Sequence, residues 1–181
     1  ETATATVNGQ SPYRRGAYYR AEVTVNNASG AVYQGITVSK TGTTVSGNKF
    51  VPQSPEGFTY DLDGNVLSNG RWNYTWDGEN RLVRMESLAN GPLASKRLLV
   101  FGYDWQGRRI EKTVYTGSSG SWVLAGSVKM VYDGWRMLAE LDANNALNRS
   151  YLWGLDLSGS MEGAGGVGGL LAVKTAGGVA H

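Results

Sequence analysis

A short unit stated twice within residues 58–84 limits what this chain can fold into. The first copy is Tyr60-Asp61, two residues, Gly64-Asn65, then Val66-Leu67. The second is Trp76-Asp77, Gly78, two residues, then Arg81-Leu82-Val83. Each reads as an aromatic strand, a polar turn and an apolar strand. Alternation at period two puts Phe58 and Tyr60 on one face of the first incoming strand, and Trp72, Tyr74 and Trp76 on one face of the second. Asp61 and Asp77 stand where a short carboxylate accepts from backbone N–H groups two residues on. Gly64 and Gly78 are expected at positive φ, as is Gly107 further on. The pattern predicts successive β-hairpins.

Two more copies follow: Tyr103-Asp104-Trp105-Gln106-Gly107-Arg108-Arg109-Ile110 and Tyr132-Asp133-Gly134-Trp135-Arg136-Met137-Leu138. Together the four resemble the YD repeat of bacterial Rhs and teneurin-like proteins. Residues 151–159, running into a glycine-rich stretch, resemble the segment that precedes the Rhs core region. The resemblance covers residues 56–175. It implies a structural segment of a secreted or cell-surface bacterial protein, part of a β-shell that encloses or presents another polypeptide. On that basis the repeat residues are expected to be structural, with no enzyme activity and no cofactor. The implied partners are other parts of the same longer polypeptide or further copies of this chain. A self-assembling filament subunit and a carbohydrate-binding module that engages surface glycans are the alternatives. The family's self-cleavage motif lies downstream of this segment, and Asp156 does not match it.

Composition agrees with many short strands: Gly 26 and Tyr 10 against Pro 4 favour tight turns over helices. The net charge is +2 with Lys and Arg spread along the chain, which reads against a nucleic-acid partner. No apolar run reaches the about 18 residues of a membrane span. Without cysteine there is neither a disulfide framework nor a thiolate metal site. Glu1 is not an initiator methionine and no closing turn precedes His181, so the sequence reads as a piece of a longer polypeptide.

Residues 1–55 carry no such unit and read as a small meander, followed by the hairpin array of residues 56–181. Residues 2–7 alternate Thr with Ala or Val up to the Asn8-Gly9 turn. Residues 18–25 alternate cleanly, with Tyr19, Ala21, Val23 and Val25 expected inward. Val32, Ile36 and Val38 continue the pattern, and Pro52 and Pro55 mark the expected boundary. Extra strands are expected at 96–103, 109–115 and 127–132. The fold class is therefore all-β: an N-terminal antiparallel meander, then hairpins in one extended, curved sheet.

The motifs associated with chemistry mostly fail on their own terms. Residues 163–168 match GxGxxG, but polar residues 158–162 make a poor central strand and no acidic residue follows Glu162. A P-loop needs glycine where Val173 precedes Lys174-Thr175. The oxygen ligands of residues 61–65 fit an EF-hand until Val66 and Trp72 take its glycine and glutamate places. His181 is the only histidine, which leaves no His-based triad. Trp72, Trp76, Trp105, Trp122, Trp135 and Trp153 are expected mainly as packing, with a stacking surface as the alternative.

Overall fold

The computed structural model describes residues 4–180, and the protein is all-β. Two compact units divide it: residues 1–73 with 87–96, and residues 74–86 with 97–181. Among the described residues the strands pair antiparallel.

In the first unit β1 (Ala5–Val7) pairs not with its successor but with β4 (Val32–Lys40), which pairs in turn with β5 (Thr43–Val51) along its whole length. Asn8 locks that arrangement: its Oδ1 accepts from the Thr37 N–H at 2.7 Å, and its Nδ2 donates to the Gly35 carbonyl. Between them, β2 (Tyr13–Arg15) and β3 (Tyr18–Arg20) form a two-stranded ribbon of their own. The strand expected over residues 18–25 therefore ends at Arg20. Tyr19 is 39% exposed and Val23 37%, because the ribbon has no sheet behind it to receive an inward face. Residues 2 and 3 of the expected first strand lie outside the described residues, as does His181. Short strands β6 (Thr59–Tyr60) and β7 (Val66–Ser68) pair across the first aspartate turn. The division between units falls within β8 (Trp72–Trp76), whose Trp72, Tyr74 and Trp76 alternate inward as expected. A 3-10 turn, Leu93–Ser95, interrupts the strands.

The second unit runs through β9 (Leu82–Ser87), β10 (Arg97–Tyr103), β11 (Arg109–Ser118), β12 (Ser121–Asp133), β13 (Arg136–Leu141), β14 (Leu147–Trp153), β15 (Leu170–Thr175) and β16 (Gly178–Ala180). Each is the sheet neighbour of the next. Such a meander buries little. Among the described residues, Leu98, Phe101 and Ala172 are the buried apolar side chains, at 5%, 7% and 7% exposure. Trp105 and Trp135 are 88% and 65% exposed, contrary to their expected packing role, and Tyr60 is 58% exposed. Trp105 and Trp135 occupy turns, where strand alternation stops.

Candidate functional site

Four hairpins of the array share one turn chemistry, and it occupies the aspartates that could otherwise act on a ligand. In each, the Asp N–H donates to the carbonyl four residues on, and its carbonyl accepts from the third. This closes at Asp61/Asn65, Asp77/Arg81, Asp104/Arg108 and Asp142/Ala146. The Asp Oδ1 accepts the N–H groups at the second and fourth positions beyond it. The third position takes positive φ: Gly64 at 87°, Asn80 at 58°, Gly107 at 79° and Asn145 at 63°. This is the three-residue hairpin loop, with its left-handed residue forming a bulge. Gly78, expected at positive φ, is thereby corrected. It stands one place after its aspartate, and Asn80 takes the left-handed position, which asparagine tolerates. Asp133-Gly134 is a different turn. Asp133 pairs directly with Arg136, and Gly134 sits at the first of the two central positions with φ +57°.

Two rungs of a ladder grow from these turns. The Arg81 Nε donates to Asp77 Oδ2 at 2.8 Å while its guanidinium lies 5.3 Å from the Tyr103 ring centre. The Tyr103 hydroxyl donates back to the Leu82 carbonyl at 2.8 Å. One repeat later, Arg108 bonds Asp104 at 2.7 Å and covers Tyr132 at 5.1 Å, and the Tyr132 hydroxyl donates to the Arg109 carbonyl. Arg108 also donates to the Gly134 carbonyl. The Trp153 indole N–H, bonded to the Met137 carbonyl at 2.8 Å, takes the corresponding place beyond Arg136. For Asp77 the Arg81 N–H and guanidinium together hold the carboxyl below its ordinary value against burial. For Asp104 burial pushes upward, and the bonds from Arg108 and Gln106 outweigh it. Asp61 is lowered chiefly by the Asn65 side chain.

Asp156 shows why the glycine fingerprint at residues 163–168 is no phosphate cradle. It makes the same turn, with Gly159 at φ +75° in the third position. Its Oδ2 then accepts the N–H groups of Ala164 and Gly166, at 2.7 and 3.2 Å. A bound phosphate would need those amides, and the protein's own carboxylate holds them. The Ser158 hydroxyl, 2.5 Å from Oδ1, leads the causes that lower the Asp156 carboxyl to about 2. Beside this loop Trp135, Arg136, Glu162 and Gly165 line an open depression of about 420 Å³. Its Arg136 is taken up by Asp133 and Glu162.

The β2–β3 ribbon is built from the same residue types without the aspartates. Its pairs are Tyr13↔Arg20, Arg14↔Tyr19 and Arg15↔Tyr18. Directly opposed residues share a face and successive ones alternate. Arg14 and Tyr19 therefore meet on one face, where the guanidinium lies 5.3 Å from the ring centre. Tyr13, Arg20, Arg15 and Tyr18 form a checkerboard on the other, with Tyr13 71% and Tyr18 82% exposed. Sequence reasoning missed this site by averaging charge over the chain. The signal was three arginines and three tyrosines within residues 13–20. Among the described residues no three His, Cys, Asp or Glu side chains come together as a metal site.

No family model matches the chain. It is 30% identical over 107 residues to the tRNA3(Ser)-specific nuclease WapA of Bacillus spizizenii, and 32% identical over 107 residues to the tRNA nuclease WapA of Bacillus subtilis. A tRNA(Glu)-specific nuclease WapA of Bacillus subtilis subsp. natto is likewise 32% identical. In each case 59% of this chain is matched, and the match spans about 4% of the relative's length. These names correct the reading built on the Rhs and teneurin-like resemblance. The structural shell, the filament and the glycan-binding module all give way to relatives named for cleaving tRNA. The expectations of no enzyme activity and no nucleic-acid partner are overturned with them.

Proposed function

We propose that this chain is part of a polypeptide that cleaves tRNA, and that its own share of the activity is to hold the RNA. The observation that carries the reading is the 30–32% identity, over 107 residues, to proteins named tRNA nucleases. Cleaving an RNA phosphodiester takes a base to activate the attacking hydroxyl and a donor or cation for the phosphate. Asp61, Asp77, Asp104, Asp142 and Asp156 are each committed to their turns, so the reacting groups are assigned to the polypeptide as a whole. What this chain offers RNA is exposed arginine and aromatic surface. The test is incubation of the full-length polypeptide with total tRNA, analysed by denaturing electrophoresis. Discrete fragments from some tRNA species are expected. Intact tRNA under conditions where the polypeptide is folded would overturn the reading.

A further inference from the structure

We infer that the Tyr13/Arg20/Arg15/Tyr18 face of the β2–β3 ribbon is a binding site for unpaired RNA nucleotides. Its ligand class rests on the tRNA reading; its geometry does not. On this face each tyrosine has arginine both across the ribbon and along its own strand, two residues away. That pattern suits a single strand, whose bases stack on aromatic faces while its phosphates meet cations. A duplex keeps its bases stacked inside and shows the ribbon only phosphate and sugar. Tyrosine exposed at 71% and 82% on a separate two-stranded ribbon contributes little to folding and leaves its ring faces open to a stacking partner.

The cations are available. Arg15 forms no side-chain hydrogen bond or ion pair with a described residue. Among the described residues Arg20 is paired with Glu22, at 2.6 Å, with both side chains more than three-quarters exposed (77% and 81%). Such a pair is weak in water and yields readily to a phosphate. Arg14 differs, since its Nε donates to the Gly16 carbonyl at 2.9 Å and its plane covers Tyr19. It braces the back of the ribbon. Glu22 also lines the shallow depression beside Tyr13 and Arg20, where its charge repels a phosphate. Removing that charge is expected to strengthen binding.

The experiment is a fluorescence-anisotropy titration of the 181-residue chain with a labelled, unstructured, uridine-rich RNA, beside a duplex of equal length. Tyr13→Ala and Tyr18→Ala are each expected to weaken single-strand binding about tenfold, Tyr13→Phe and Tyr18→Phe to retain it, and Glu22→Gln to tighten it. Arg15→Ala should reduce the salt dependence by about 0.7 in the log–log slope. Circular dichroism checks that each variant keeps its strands. Equal affinity for duplex, or alanine variants that bind like the parent, would overturn the proposal. So would displacement by poly-glutamate at the concentration where RNA competes, which would mark the face as a site for acidic peptides. Cleavage of tRNA by the full-length polypeptide without ribbon-dependent binding would leave the nuclease reading standing and remove this one. Ribbon binding without cleavage would do the reverse.

Discussion

Arginine and tyrosine meet in both units of this molecule, to opposite ends. In the ladder, Arg81 and Arg108 are closed between an aspartate and a tyrosine ring, and the tyrosine hydroxyl returns to the backbone. In the ribbon, Arg15 and Tyr18 stand opposite one another and face water. The difference lies in the aspartate at the start of each array turn. At Asp77 and Asp104 it fixes the arginine four residues on, leaving the guanidinium plane to cover the next tyrosine. Where no aspartate stands, as in the Gly16-Ala17 turn, the same side chains remain open to a ligand.

Substitutions should separate the two regions by size of effect. The largest loss is expected at the few buried side chains of the second unit. Phe101→Ala, at 7% exposure, should cost about 3–5 kcal/mol in equilibrium denaturation of the second unit. Tyr103→Phe keeps the ring and the arginine above it but loses the bond to the Leu82 carbonyl, for about 1 kcal/mol. Gly107→Val, at φ +79°, should cost about 1 kcal/mol or more through backbone strain alone. The smallest effect belongs to the ribbon, where Tyr18→Ser should change stability by less than about 0.5 kcal/mol. A ribbon variant as costly as Tyr103→Phe would dissolve the distinction between the regions.

Acid should open the glycine loop. The folded Asp156 carboxyl titrates at about 2, below its ordinary 3.8. Its contribution is therefore fully present above the unfolded value and lost as pH falls from about 4 through 2. The protection factors of the Ala164 and Gly166 amides, measured against intrinsic exchange at each pH across that range, should fall as their acceptor is protonated. Unchanged protection down to pH 2 would show that the loop is held by something else.

Much of the array was legible in the sequence because aspartate turns have a fixed chemistry. Gly64 and Gly107 were readable as left-handed positions, and Trp72, Tyr74 and Trp76 as one inward face. The deeper rule is aspartate followed at the third place by Gly or Asn, and it also covers Asn80, Asp142–Asn145 and Asp156–Gly159. Asp142 and Asp156 were not read as turn residues because leucine, not an aromatic, precedes each. Trp105 and Trp135 misled because alternation assigns faces only inside strands, and both lie in turns. The ladder joins side chains from different hairpins, so its contacts follow from sheet order and not from local spacing. The pairing of β1 with β4 is equally non-local, and it is what leaves the ribbon alone.

The most direct test sets one variant of each region against the other in the same two assays, thermal melting and binding of unstructured RNA. Arg108→Ala should lower the melting midpoint and leave RNA affinity near that of the parent. The paired substitution Arg15→Ala with Tyr18→Ala should leave the midpoint unchanged and abolish most of the RNA binding. A ribbon variant that melts early while still binding RNA would contradict the account at its centre.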